Sequence, residues 1–294
     1  MQMAVSDQNT VGSVLNAATA YLAGKEIAEP ELVCSHLLSC LLNCKHLDLH
    51  LLSGEILGEK LLAAMRRGIK RAATGEPVQY IVGHWELMGH RLKVDSRALI
   101  PRSETEILVQ RVLDCEAIWN QEAPVVADVG TGSGCIVIGL ALARPEARYV
   151  ALDPSSEALD LAKENAEAMG VGDRIAFAPA ELPDIVDPES LTAIVANLPY
   201  IATADYEQLP SVVRDFEPRS ALDGGDDGLD VIRSVVQDAT MALKSGGRIF
   251  LEIGAEQGAA VKSLLEAEGF SDVAVLPDLA SRDRVVEGRY EVAY

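Results

Sequence analysis

The stretch Val125-Val-Ala-Asp-Val-Gly-Thr-Gly-Ser-Gly134 permits few folds, because a short apolar run turns at once into three glycines in five positions. Val125 to Val129 reads as a strand covered on both faces, with Asp128 at its carboxyl end. Gly130, Gly132 and Gly134 allow a tight turn and bring the backbone against a ligand with no Cβ in the way. Cys135 to Ala143 continues as an apolar helix, which completes the strand, glycine loop and helix of a doubly wound α/β domain. The loop spells GxGxG, lacks the glycine that a dinucleotide fingerprint has at its sixth place, and is not followed by Gly-Lys-Ser/Thr. A P-loop is thereby excluded. The next strand, Arg148 to Leu152, ends on Asp153, whose carboxylate suits the two ribose hydroxyls of an adenosine. That spacing of roughly 20 residues serves NAD and S-adenosylmethionine alike. The glycine pattern favours S-adenosylmethionine, which has no pyrophosphate to seat.

Around this centre the chain divides in three. Thr10 to Ala23, Pro30 to Asn43, His46 to Leu52 and Glu59 to Ala73 carry apolar residues at three-to-four spacing and predict a small helical domain over 1–75. Cys34, His36, Cys40, Cys44, His46 and His50 match no usual zinc spacing, so no metal is expected there. Val78 to Val94 alternates like strands broken at Gly83 and Gly89, which predicts a linking β-hairpin within 76–98. Residues 99–294 form the cofactor domain. In it Leu99-Ile-Pro-Arg-Ser-Glu-Thr-Glu106 reads either as a helix start capped by Ser103 with Glu106, running to Trp119, or as a loop folding over the cofactor. Strands and helices then alternate regularly: strand to Asp153, helix to Met169, strands Arg174–Ala178 and Thr192–Ala196, helix Gly228–Leu243, strand Arg248–Ile253 and helix Glu256–Ala267. Two closing strands near Asp272–Leu276 and Val285–Ala293 give the outline of a seven-stranded class I methyltransferase sheet.

Charge narrows the partners. The formal net charge is −20, and residues 91–294 hold 18 Lys and Arg against 36 Asp and Glu. Such a surface repels phosphate backbones, so no general nucleic-acid partner is expected. No apolar run reaches the roughly 18 residues of a membrane span, and five cysteines, an odd number, argue against a disulfide framework. These features point to a cytoplasmic protein.

The second chemical feature is Asn197-Leu-Pro-Tyr200, directly after the strand Thr192–Ala196. The lone pair of a primary amide or aromatic amine is delocalised, so methylating it requires the nitrogen to be held. The Asn197 side-chain carbonyl and the Leu198 main-chain carbonyl can each accept one N–H, and Pro199 keeps Leu198 extended. Tyr200 can pack on the flat face of the acceptor group. No strong base is needed, because the nitrogen sheds its proton readily as positive charge develops.

This motif is similar to the (N/D)PP(Y/F/W) of methyltransferases acting on planar amino groups. Together with Gly75-Glu-Pro-Val-Gln-Tyr-Ile-Val-Gly83, Leu99 to Glu106, Asp128 to Gly134, Phe216-Glu-Pro-Arg-Ser-Ala-Leu222, Gly224-Gly225, Asp227-Gly-Leu229, Glu252-Ile-Gly254 and Gln257, it resembles the PrmC/HemK family. These are protein-(glutamine) methyltransferases of the GGQ glutamine in class-1 peptide chain release factors. The resemblance runs from about residue 10 to the end. It implies that Gly130, Thr131, Gly132, Ser133 and Gly134 surround the methionine end of S-adenosylmethionine, Asp153 the ribose, and the segment around Glu181 and Leu182 the adenine. It also implies that Asn197, Leu198, Pro199 and Tyr200 hold the glutamine amide, and that the helical domain grips the release factor. Two positions depart from the family, which usually has Pro at 198 and at 103. Leu198 keeps the carbonyl but adds a bulkier and freer side chain. The alternative reading is the adenine dimethylase of small-subunit ribosomal RNA, which also uses NLPY. The acidic charge and the placement of helices before the catalytic fold oppose it. An NAD-dependent dehydrogenase and a non-catalytic cofactor-binding protein are the remaining alternatives.

Overall fold

The computed structural model describes residues 9–179, 182 and 186–291. They fall into two units, one drawn from Met1–His84 and Ser211–Phe216, the other from Trp85–Pro210 and Glu217–Tyr294.

The first unit is helical. Val11–Ala23 begins where the Thr10 hydroxyl accepts the Ser13 amide at 3.2 Å, and Pro30 opens Pro30–Leu42 with a φ already suited to a first turn. Glu59–Ala72 turns Leu62, Met65, Ile69 and Ala72 inward at helical spacing onto Leu37, Leu38 and Cys34. Cys34 is therefore a core residue. His46–Leu52 winds as a 3-10 helix, a tighter form suited to a short piece between turns. Val78–Val82, expected as strand, is one helical turn: Pro77 leads in and Gly83 closes it at φ +76°. Phe216 belongs to this unit, with Cε2 3.5 Å from where a Cβ on Gly75 would stand.

The hairpin that follows is short, β1 (His84–Leu87) and β2 (His90–Lys93). Met88 and Gly89 between them have φ +50° and +75°, as a type I′ turn requires.

In the second unit a seven-stranded sheet is built from β3 (Val125–Val129), β4 (Arg148–Leu152), β5 (Ile175–Ala178), β6 (Leu191–Asn197), β7 (Leu243–Glu252), β8 (Phe270–Pro277) and β9 (Asp283–Tyr290). Their order is β5-β4-β3-β6-β7-β9-β8, parallel except for β9, which runs antiparallel to both of its neighbours. Side chains alternate between two cores: Val126, Ala193 and Val195 meet Leu108, Val112, Val137 and Leu140 on one face, and Ala127, Ile194 and Ala196 meet Ile232, Val236 and Val261 on the other. Both faces are covered, which explains the continuous apolar run in β6, where Leu191–Ala196 are all buried.

The predicted capping box at Ser103 does not form. The Ser103 hydroxyl donates to Glu104, while the Glu106 carboxylate accepts the Met88 amide of the hairpin turn at 2.6 Å. The helix is Thr105–Asp114, and the chain breaks at Cys115 before a single turn at Glu116–Trp119.

Candidate functional site

From β3 the chain runs outward to β4 and β5, then returns to the other side of β3 with β6. The paired residues Val129 and Ala196 thereby set the glycine loop beside Asn197-Leu-Pro-Tyr200, at the switch point where open α/β sheets bind ligands. A cavity of about 430 Å³ opens there, within the size range of small-molecule sites.

Gly130, Thr131, Gly132, Ser133, Asp153, Leu182, Asn197, Leu198 and Pro199 all line this cavity. Gly134 and Tyr200 are not among its lining residues. Gly134 stands at the start of Cys135–Ala143 with φ +82°, and a Cβ there would come within 3.0 Å of Ile138 and 3.1 Å of Ala162. Its lack of a side chain serves helix packing. Tyr200 sits behind the loop, its carbonyl accepting Gln257 Nε2 at 2.9 Å and its phenol pKa raised by burial. Glu181 lies outside the described residues.

The loop is braced from two sides. Asp128, fully buried, accepts the Thr131 hydroxyl at 2.7 Å and the Val137 amide at 3.2 Å, yet burial pushes its carboxyl up to about 7. Asn165 donates to the Ser133 carbonyl at 2.9 Å and accepts the Lys93 amide of β2 at 2.7 Å, so the hairpin helps to hold the loop. Asp153 accepts the Gly132 amide on one oxygen and the Ser155 amide on the other, both at 2.9 Å. Each oxygen keeps a second lone pair for a ligand hydroxyl. Burial raises its pKa against these hydrogen bonds.

Leu198 is 4% exposed, and its Cδ2 lies 3.3 Å from where a Cβ on Gly130 would be. The freer side chain expected in place of proline is instead packed onto the glycine loop, because the missing Cβ of Gly130 leaves a slot for it.

Two further segments line the cavity. Leu99, Pro101, Arg102 and Thr105 line the cavity from one segment, and Pro218, Ser220 and Ala221 from another. Buried Glu217 ties the two together, accepting the Ile100 amide at 3.0 Å and Arg102 Nη2 at 2.5 Å. The segment 99–105 thus lines the cavity as it leads into the helix Thr105–Asp114. Val231, Ser234 and Val235 of the helix Asp230–Ala242 add a further wall. Glu252, 1% exposed, stands in the sequence within the strand Arg248–Ile253 and in the resembling stretch Glu252-Ile-Gly254, with no role assigned to it. Burial pushes its carboxyl up to about 7.

Replacing Asp153 tests the polar end of this cavity. Asp153→Ala is expected to weaken S-adenosylmethionine binding by about 1.5–3 kcal/mol, the usual loss for a hydrogen bond to a charged group. Titration calorimetry checks it, and an unchanged affinity would place the ribose elsewhere.

Residues 13–83 match the PrmC N-terminal domain family and residues 126–217 a methyltransferase domain family. A release factor glutamine methyltransferase of Moorella thermoacetica is 45% identical over 219 residues, 74% of this chain and 76% of that one. Another, of Geobacter sulfurreducens, is 38% identical over 280 residues, 95% of this chain and 96% of the other. In fold, a solved methyltransferase from Pyrococcus furiosus superposes with a TM-score of 0.52 at 13% identity, covering 80% of this chain and all of that one.

The sheet order, the glycine loop and the switch-point cavity define a class I S-adenosylmethionine-dependent methyltransferase. Similarity spanning nearly the whole length places the chain in the release factor glutamine methyltransferase family.

Proposed function

We propose that this chain methylates the side-chain amide nitrogen of the GGQ glutamine in class-1 peptide chain release factors, with S-adenosylhomocysteine as the second product. One observation carries the reading: the cofactor-type residues Gly130–Ser133 and Asp153 share a single cavity with Asn197, Leu198 and Pro199. The residues present fit S-adenosylmethionine, since the cavity lining holds an acid with spare lone pairs, Asp153, together with apolar Leu152, Ala158 and Leu182. When bound, that cofactor supplies an electrophilic methyl group on a sulfonium sulfur.

The chain's own part is to hold the acceptor. Asn197 Oδ1 and the Leu198 carbonyl each take one N–H of the glutamine amide, which fixes the planar group and presents the face of its nitrogen. The Tyr200 carbonyl is already engaged by Gln257, which braces the loop from behind. The nitrogen gives up one proton as it gains the methyl, and water can take it. Gly130, Thr131, Gly132, Ser133, Asp153, Leu182, Asn197, Leu198 and Pro199 line the cavity and are proposed to touch ligand; Gly134 and Tyr200 stand at its edge. In this reading the helical unit grips the release factor. Twice as many acids as bases in residues 91–294 support a protein substrate over RNA. No described helix is long and apolar enough to cross a membrane.

The test is to incubate the full chain with methyl-labelled S-adenosylmethionine and, separately, an unmodified release factor or small ribosomal subunits, and to locate the label by mass spectrometry. Label on the GGQ glutamine is expected. Label on adenine would favour the RNA reading, and label on neither would leave a cofactor-binding protein.

A further inference from the structure

The amide clamp poses a problem of polarity. A carboxamide has two ends of similar size and opposite hydrogen-bonding sense, and a half-turn about its last torsion exchanges them. Only the oxygen can accept an N–H from the acceptor glutamine. Something must therefore prevent Asn197 from presenting its nitrogen.

The groups behind Asn197 supply the answer. Its Nδ2 donates to Thr105 Oγ1 at 3.2 Å, and the Thr105 hydroxyl donates to Glu252 Oε2 at 2.8 Å. A hydroxyl has a single hydrogen, and an ionised carboxylate only accepts. With that hydrogen committed to Glu252, Thr105 can offer Asn197 nothing but lone pairs, so the nitrogen end must face inward. Oδ1 is left toward the cavity. Asn197 and Glu252 are register partners across β6 and β7, while Thr105 opens the helix Thr105–Asp114 and is 1% exposed. Sheet pairing and helix position hold all three members.

We infer that Glu252 and Thr105 are positioning residues that set which end of the Asn197 carboxamide meets the acceptor nitrogen. This rests on the reading that Asn197 holds the glutamine amide. It assigns a task to the acid at the end of β7, which forms no ion pair within 4.0 Å among the described residues. It also implies a dependence on charge. Protonated Glu252 can donate to Thr105, whose own hydrogen is then free for Asn197, and the clamp loses its preference. Burial is the main influence on Glu252; hydrogen bonding from Thr105 and from Asn197 and the charge of Arg284 favour its ionisation, and Glu104 opposes it. Tyr200 and Cys135 are also near, and burial keeps both un-ionised. The working form is the ionised one, present above a pKa of about 7 and lost below it.

The experiment measures kcat on an unmodified release factor, the KM for each substrate and S-adenosylmethionine affinity by calorimetry. It compares the wild-type chain with Asn197→Ala, Thr105→Val, Thr105→Ser and Glu252→Gln. Thr105→Val keeps the shape and removes the hydroxyl, and kcat should fall on the order of 10- to 100-fold with cofactor affinity within about twofold. Thr105→Ser should restore kcat to within about threefold of wild type, since the hydroxyl returns. Wild-type kcat should fall as pH drops through about 7, and Glu252→Gln should be slow and flat over the same range. Wild-type kcat in Thr105→Val, or Thr105→Ser no better than Thr105→Val, would overturn the inference. So would a wild-type profile that is flat through this range, a result that needs no variant to fold. Normal turnover in Asn197→Ala would instead sink the amide-clamp reading itself, and so separates the two failures.

Discussion

Asn197→Ala is expected to lower kcat on an unmodified release factor by on the order of 10²–10³-fold, the scale on which one preorganised hydrogen-bonding group acts. The reason is geometric. The glutamine amide is planar and weakly nucleophilic, and of its two proposed anchors Asn197 Oδ1 is the one carried on a side chain. Alanine leaves the Leu198 carbonyl and lets the amide turn about that single contact. Cofactor affinity should change far less, because Gly132, Asp153 and Leu182 remain in place. Turnover by single-cycle kinetics and affinity by calorimetry separate the two effects. Near-normal turnover would remove the clamp from the mechanism, whereas equal losses in both would make Asn197 a cofactor residue.

The second large effect is expected at a glycine that lines no part of the cavity. Gly224→Ala should cut kcat on the order of 10²-fold, the scale on which a misplaced acceptor loop acts. Overpacking should also lower stability by about 1–3 kcal/mol. A Cβ at Gly224 would stand 2.5 Å from the Pro199 carbonyl oxygen and 2.7 Å from that of Gly228. Both are backbone atoms and cannot swing aside like the end of a side chain. Gly224 is also held in place, its amide donating to the Ile201 carbonyl at 2.8 Å and its carbonyl accepting the Asp230 amide at 2.9 Å. The expected loss follows if the Pro199 side yields, because Asn197 and the Leu198 carbonyl then move with it. Denaturant unfolding and kcat are the measurements. Gly54→Ala, with no atom within 4 Å of the new Cβ, is the stability control and is expected to unfold like the wild-type chain. Full activity in Gly224→Ala would show that the 222–229 turn adjusts without disturbing the acceptor loop.

Much of the fold was legible because it is encoded locally. Period and turn chemistry located Val11–Ala23, Pro30–Leu42, His46–Leu52, Glu59–Ala72 and all seven strands of the sheet to within a few residues, except that β7 begins at Leu243, where the helix before it was expected to end. The misreadings were also local in origin. Val78 to Val82 alternates like a strand, yet Pro77 and Gly83 enclose a single helical turn. Ser103 and Glu106 have the spacing of a capping box, yet Glu106 is taken by the hairpin amide of Met88, a partner that no local pattern announces.

The same boundary runs through the site. By itself the sequence determined the glycine loop, the acid after β4 and the Asn-Leu-Pro-Tyr turn, because each follows from steric or chemical demands within a few consecutive residues. Tertiary structure alone decided that Gly134 packs a helix, that Leu198 fills the slot beside Gly130, that Glu217 joins two cavity-lining segments, and that Thr105 and Glu252 stand behind Asn197. Those relations depend on strand order and register, which bring together groups from distant parts of the chain. Hydrophobic periodicity determines which face a residue occupies, and it carries no record of which residue will stand opposite.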